Sequence, residues 1–292
     1  MPWKLYLDSR KRQPGGTDTD FAIQFPYPIN VSGKAFVDVV LLANSFYTIR
    51  DDENDKLYMT ETIANGTLYA RRLTIPAGRY TVETLATAIK EAANSTILPG
   101  QNNSGTNLPS QYTSAYSALT GKITLTNPSA NCSFGIWPSD YLKNHLSVWN
   151  GVAHVTMQLA TISDIQDSSQ VTGFTGTIQR NSQGFNKIEA SDMAQVQPYH
   201  QLFIRSNLGG GSAESLGVNG ESDVIRRICV GNTPTDGMIL DIHSQALDHV
   251  QINGHREISS LWFQVIDHLG QVVNSRGAPI SLSIIFEDVD EI

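Results

Sequence analysis

Apolar and polar positions alternate along two runs near the end of the sequence, residues 260–266 and 279–286. Each run collects apolar side chains on one face, Leu261, Phe263 and Val265 in the first and Leu282, Ile284 and Phe286 in the second. A period of two is typical of a β-strand that packs one face on a core. Turn residues at 267–270 and 276–277 separate the runs. The pattern therefore predicts two closing strands, and neither contains an evident catalytic side chain.

Similar short runs predict strands along the rest of the chain. They cover residues 4–7, 21–25, 35–49, 57–60, 68–75, 122–126, 132–136, 152–162, 173–180, 201–206, 224–230, 238–242 and 250–252. We expect Pro26 and Pro28 to end the second of these strands, because proline cannot donate a ladder hydrogen bond. A short helix is predicted at residues 139–146.

A longer helix is predicted at residues 82–93. Thr81 is placed to cap its first turn, and the acidic Glu83 suits the positive end of the helix dipole. One apolar stripe follows the helical period, formed by Val82, Leu85, Ala86 and Ile89. This stripe predicts a helix that packs on a sheet.

Together these elements predict an all-β protein, a single jelly-roll sandwich of antiparallel sheets with one or two short helices and long loop insertions. The strands do not alternate with helices, which disfavours an α/β fold. We expect one jelly-roll domain over residues 1–292, with residues 1–19 as a candidate N-terminal arm. The polar segments 94–121 and 163–198 are rich in turn-forming residues and are expected to be loops or insertions.

The surface is expected to be polar but weakly charged, since hydrophobic residues make up 40% of the chain and charged residues 16%. The net charge of -8 and the pI near 5.3 argue against a surface that binds nucleic acid as a whole. Arg10, Lys11 and Arg12 are a local exception, and they indicate either a mobile arm that meets a genome or another chain, or a solvated loop. The solvated loop is the favoured interpretation.

The two cysteines, Cys132 and Cys229, lie in apolar, strand-like contexts far apart in the sequence. We expect buried free thiols, which fit a reducing compartment, with a single disulfide as the alternative. The N-terminal residues contain no apolar signal-peptide core, and no run of 18 apolar residues occurs, so we expect a protein that is made and kept in the cytosol and has no membrane-spanning segment.

No motif in the sequence predicts a catalytic, cofactor or metal site. His243, His249 and His255 recur at six-residue intervals, but they lack the spacing of paired zinc ligands on one strand or helix. A metal-dependent, cupin-like enzyme that uses these histidines is the least favoured function.

Other polar clusters have ordinary structural interpretations. Three consecutive glycines at 209–211 lack the phosphate-loop pattern and predict a turn. The acidic run 51–55 lacks the glycine and the distant glutamate of a calcium loop and predicts a turn as well. The acidic residues 287–291 are interpreted as a solvated tail.

The order of these features resembles a known family. The carrying stretches are DFAIQFPYPI at 20–29, FVDVVLLANSFYTI at 36–49, LTIPAGRYTVETLATAIKEAA at 73–93, KITLTNPSANCSFGIWPSDYLKNHLSVW at 122–149, QLFIRSNLGGGSAESLGVNGESDVIRRICV at 201–230 and EISSLWFQVIDHLGQVVNSRGAPISLSIIFE at 257–287. In this order they resemble blocks of the minor capsid (penton) proteins of polinton-like and adintovirus elements and of virophages. The glycine–phenylalanine ending of one family helix is not preserved here.

The resemblance implies a non-enzymatic structural protein that forms a homopentamer at the fivefold vertices of an icosahedral virion. Its implied partner is a double-jelly-roll major capsid protein, with internal cement proteins or a vertex spike as further candidates. The alternative from a different class is a glycan- or receptor-binding β-sandwich, for which Trp149 and Asn150 are the candidate contact residues.

Overall fold

The computed structural model describes residues 2–62, 68–95, 112–127, 133–137, 168–175, 187–209, 223–231, 237–242 and 250–287. The helix predicted at 139–146 and the strand predicted at 152–162 lie outside these ranges. The described strands are β1 Trp3–Asp8, β2 Asp20–Ala43, β3 Lys56–Thr62, β4 Leu68–Thr74, β5 Thr113–Ser117, β6 Lys122–Thr126, β7 Ser133–Ile136, β8 Lys187–Glu189, β9 Gln201–Ser206, β10 Val224–Cys229, β11 Met238–Ile242, β12 Val250–Ile266 and β13 Ile280–Glu287. The described helices are α1 Val82–Ser95 and α2 Ser169–Thr172, and Ser9–Lys11 form a 3-10 turn.

Every strand pair in the described residues is antiparallel. The all-β prediction is confirmed, and the antiparallel sheets agree with a jelly-roll sandwich.

Contacts divide the chain into two compact units. The first unit combines residues 1–46 with residues 199–292, and the second comprises residues 47–198. Each unit has its own hydrophobic cluster. The sequence predicts one domain over 1–292. Alternation shows which face of a strand is buried, but it does not show which strands share a core, so it could not reveal this division into two units.

The long strand β2 is the centre of the first unit. The sheet runs in the order β1-β13-β2-β12-β9-β10, and β11 also pairs with β2. Residues 39–42 of β2 pair with β11 and with β13, so these two strands lie on opposite sides of β2. The two closing strands predicted from the sequence, β12 and β13, are therefore not neighbours, since β2 lies between them.

Strand β2 passes through two prolines that were expected to end it. Its ladder with β12 jumps from the pair Gln24–Ser260 to the pair Ile29–Ile258. Pro26 and Pro28 lie within this bulge, where the backbone is not required to donate to the partner strand. The prediction of a strand that ends before Pro26 is wrong for this reason.

In the core of the first unit, the buried strand faces are the ones that alternation predicts. Leu261, Phe263, Leu282 and Phe286 are all buried. Each large apolar side chain that is removed from water contributes about 1.5–3 kcal/mol. The face assignment of both closing strands is confirmed.

The second unit has two three-stranded sheets, in the orders β4-β3-β7 and β5-β6-β8. The predicted helix is confirmed as α1, with Leu85 and Ile89 buried in the core of this unit. Thr81 caps it, because the Thr84 backbone N–H donates to Thr81 Oγ1 at 3.3 Å.

Three elements of the second unit fall in segments that the sequence assigns to loops. Strand β5 lies within 94–121, and α2 and β8 lie within 163–198. The strands are short and polar on one side, and their pairing with β6 supplies the backbone hydrogen bonds that local composition does not reveal.

Candidate interaction surface

The outer face of the first unit exposes an apolar strip on two adjacent strands. Leu240 lies directly opposite Leu41, and Ile242 lies opposite Val39. Leu240 and Ile242 are 56% and 65% exposed. Contiguous exposed apolar side chains of this kind mark interaction sites. We call the set Val39, Leu41, Met238, Leu240 and Ile242 the β2–β11 strip.

The strip exists because this part of β2 is apolar on both faces. Val40 and Leu42 point into the core, so their neighbours Val39 and Leu41 must point outward. A continuous apolar run is typical of a strand that is covered on both faces. The sequence of β2 thus indicates that its outer face is built to be covered.

A groove of about 610 Å³ lies next to the strip. It is lined by residues 4–8 of β1, residues 23–26 of β2 and residues 281–283 of β13, together with Lys11, Val39 and Leu41. Most of these side chains are apolar, and Leu7 and Leu282 are buried at its inner side. We call it the β1 groove.

Strand β1 is the end strand of its sheet. Among the described residues it forms a ladder with β13 only, over its six residues. An end strand presents unpaired backbone N–H and C=O groups along its outer side. Trp3 anchors the strand by stacking on Phe286, with ring centroids 4.3 Å apart.

Charged side chains at the groove are mostly neutralised within the chain. Lys4 forms an ion pair with Asp38. Asp8 accepts hydrogen bonds from the Arg10 guanidinium at 2.7 Å and from Ser281 Oγ at 2.8 Å. The hydrogen bond from Arg10 is the largest reason why the pKa of Asp8 lies well below its usual range.

The basic cluster is held in a turn. Asp8 caps the 3-10 turn by accepting the Arg10 backbone N–H at 2.9 Å. Arg12 donates to Asp18 Oδ1 at 2.8 Å and to Gly16 O at 2.9 Å. Two of the three cations are thus paired, which opposes the hypothesis of a mobile basic arm. The sequence could not show this, because Asp8 and Asp18 are acceptors only once the turn brings them near.

Of the three candidate histidines, only His255 lies within the described residues. It is on the exposed side of β12, whereas His243 and His249 lie outside the described residues. Within the described ranges, no three His, Cys, Asp or Glu side chains are arranged to hold a metal ion. Gly209 lies in a turn, where its N–H donates to Ser206 O at 3.1 Å.

The acidic turn uses its side chains locally. Glu53 pairs with Arg50 at 2.6 Å, and Asp52 lies 3.7 Å from Lys56. Asn54 Oδ1 accepts the Arg50 backbone N–H at 2.7 Å, which closes the turn. These carboxylates face cationic side chains rather than one another.

The expectation of a buried thiol is wrong for Cys229, which is exposed. In β10 the neighbouring Ile228 takes the buried position, so the next residue must point outward. Cys132, Trp149, Asn150 and the tail residues 288–292 lie outside the described residues.

Except for Lys11 of the basic cluster, no residue of the strip or the groove was a candidate site in the sequence. The run VVLLA at 39–43 was the available signal, because it is apolar on both strand faces. Nothing comparable marked the groove, since it depends on β1 meeting β13 and on the path of β2. No helix among the described residues is long and apolar enough to cross a bilayer.

Comparison with known proteins finds similarity of fold over the whole chain. No protein-family model and no curated protein matches it. Among solved structures, the mavirus penton protein aligns with a TM-score of 0.54 at 11% identity, covering 99% of this chain and 100% of that one. A chain from the cryo-EM structure of the Sputnik virophage aligns with a TM-score of 0.51 at 13% identity, covering 98% and 97%. The resemblance seen in the sequence is confirmed at the level of the fold, and this chain has the fold of those two virophage proteins.

Proposed function

We propose that this chain is a structural capsid protein of the virophage type, a penton protein that forms homopentamers at the fivefold vertices of an icosahedral virion. The observation that carries the proposal is the coverage of 99% of this chain and 100% of the mavirus penton protein. The two chains share a fold over nearly their whole lengths. This supports a shared function more strongly than a single shared sandwich domain would, because sandwich domains serve many functions.

The surface of the first unit supports a role in assembly. The β2–β11 strip exposes apolar side chains that a shell subunit would bury against a neighbour. In a ring of five copies, each subunit uses one surface to contact the next subunit and a second surface to contact the previous one. Both surfaces are therefore buried in every subunit. In this role the protein acts by its shape and its contacts, without catalysis.

The proposed partner in the shell is a double-jelly-roll major capsid protein, and internal cement proteins or a vertex spike are further candidates. The paired state of Arg10 and Arg12 favours contacts with protein over contacts with a genome. Because the strip is apolar, we expect assembly to depend little on ionic strength.

The mass of the purified protein tests the oligomer. Five copies of 32.0 kDa give about 160 kDa, which native mass spectrometry distinguishes from a monomer. Co-expression with the major capsid protein of the same genome, followed by cryo-EM, tests the vertex position. Density for this chain on the fivefold axes is expected, and the substitution Leu240→Glu should abolish its incorporation. A protein that stays monomeric at high concentration and is absent from the vertices would refute the proposal.

A further inference from the structure

We propose that the β1 groove accepts an extended segment of a different shell protein, which adds to the free edge of β1 as a further strand. The source of the segment rests on the proposed function. The groove and its mode of binding rest only on the geometry of the first unit. The segment is expected to be apolar at alternate positions and to carry a carboxylate at one end.

The backbone of β1 supplies the first reason. Its ladder with β13 uses one edge of the strand, the other edge has no partner strand among the described residues, and residues 4–8 all line the groove. The opposite wall includes the bulge of β2 that begins after Gln24, and Pro26 in this wall has no N–H to donate. A guest strand therefore finds a regular hydrogen-bonding partner in β1, whereas Pro26 interrupts hydrogen bonding along the wall formed by β2. Strand addition to an exposed edge is an established mode of peptide recognition.

The lining of the groove supplies the second reason. Ile23 and Leu7 lie at its inner side, and Leu41 connects it to the β2–β11 strip. Side chains on one face of a guest strand would contact these apolar groups, while those on the other face would remain in water. A guest of about six residues spans about 20 Å, the length of β1.

Charge supplies the third reason and sets the chemistry of the guest. Lys4 is paired with Asp38, and Asp8 is paired with Arg10. Lys11 lines the groove close to the Asp8 end of β1, and within the described part of the chain it forms no ion pair. A carboxylate at the adjoining end of the guest would complement this ammonium group.

A second copy of this chain is not the favoured occupant. Two β1 edges that pair with each other form an isologous contact with twofold symmetry. Such a contact closes on itself after two subunits, so it cannot generate the fivefold ring of the proposed function. A second copy that pairs through its own β1 is therefore not the guest, and the segment is assigned to another shell protein.

The binding test uses the purified full chain and a synthetic octapeptide. The peptide alternates valine and threonine, carries one N-terminal glutamate and is N-methylated at every second amide. This methylation leaves one edge free for pairing and prevents the peptide from aggregating. The control peptide has the same side chains and is N-methylated at every amide. Calorimetry measures affinity, and hydrogen exchange read by mass spectrometry locates the effect.

We expect the first peptide to bind and to slow amide exchange in residues 3–8, and the fully methylated peptide to bind at least about tenfold more weakly. Leu41→Glu should weaken binding at least about tenfold, because it places a charge against the guest. Leu269→Glu is the matched control, since Leu269 is 61% exposed and does not line the groove. It should leave the affinity unchanged.

A charge swap tests the role of Lys11. Lys11→Glu should weaken the glutamate-bearing peptide about 2- to 5-fold, and a lysine-bearing peptide should restore the affinity. Three results would overturn the proposal: no binding at about 1 mM peptide, equal binding of both methylation patterns, or equal effects of the two leucine variants. An isolated protein that is dimeric and already protected in residues 3–8 would also overturn it, in favour of a second copy. Peptide binding does not depend on vertex incorporation, so either proposal can fail without the other.

Discussion

The ion pair between Arg226 and Asp241 is predicted to be the most sensitive charged contact of the first unit. Arg226 Nε and Nη2 both donate to Asp241 Oδ2, at 2.8 and 2.6 Å, and join β10 to β11. The two side chains are only 3% and 16% exposed. Removing one partner from a buried pair costs about 3–5 kcal/mol, because the other partner stays buried without the hydrogen bonds of the pair. We therefore expect Asp241→Ala to destabilise the protein by about 3–5 kcal/mol.

Chemical unfolding measures this loss. For a slope near 2 kcal/mol per M of urea, the midpoint should fall by about 1.5–2.5 M. The folded-to-unfolded ratio should fall at least about a hundredfold. The double variant Arg226→Met with Asp241→Leu removes both charges and fills the space with apolar groups. It should recover most of the stability, since neither charged group of the pair then stays buried.

The pair between Arg205 and Asp223 is the matched control. It has the same chemistry, with both distances at 2.9 Å, but its side chains are 25% and 26% exposed. Water screens this pair, so Asp223→Ala should cost about 1 kcal/mol or less. The claim that burial makes this ion pair sensitive is refuted if Asp241→Ala lowers the stability no more than Asp223→Ala does. It is also refuted if the double variant is as unstable as Asp241→Ala.

Three further predictions concern other positions of the first unit. Gly270 has a φ of +79°, so Gly270→Ala should lower stability by about 1 kcal/mol in thermal unfolding, and an unchanged Tm would contradict the turn geometry. The lowered pKa of Asp8 means that its contribution is present above the ordinary carboxyl pKa and is lost as pH falls below it. The Tm difference between the native chain and Asp8→Asn, worth less than about 1 kcal/mol, should therefore shrink between about pH 5 and pH 2, and a difference that grows on acidification would reverse the sign. Cys229 is exposed, so Ellman's reagent should label this thiol rapidly in the folded protein, and Cys229→Ser should lose one equivalent of rapid labelling, whereas an unchanged rapid phase in Cys229→Ser would show that Cys229 is buried.

Local periodicity was sufficient to predict the elements that bury one face and expose the other. Helix α1 has a stripe at helical spacing and a threonine before it, and the structure places both as predicted. The closing strands present Phe263 and Ile284 to the core, as the alternation indicates. In both cases the spacing of apolar residues along the element itself shows which face is buried, so the prediction does not require knowledge of the partner elements.

The candidate surface could be predicted only in part. The apolar run at 39–43 indicates a strand covered on both faces, and Leu41 is indeed exposed in the isolated chain. The groove could not be predicted, since its walls come from residues as distant as Leu5 and Ser281. The basic cluster was misleading for a related reason, because ion pairs with Asp8 and Asp18 depend on a turn that charge counting does not show.

The sequence by itself determined the all-β class, the positions of most described strands, the helix α1 and the core faces of β12 and β13. The tertiary structure alone decided that β2 lies between those two closing strands, that it passes through Pro26 and Pro28 in a bulge, and that residues 47–198 form a compact unit of their own. Among the described strands, it also left one edge of β1 without a partner strand, beside an apolar groove. The physical reason is that alternation reports only whether a side chain is buried. Strand order is set by backbone hydrogen bonds between distant segments, which every non-proline residue can form alike.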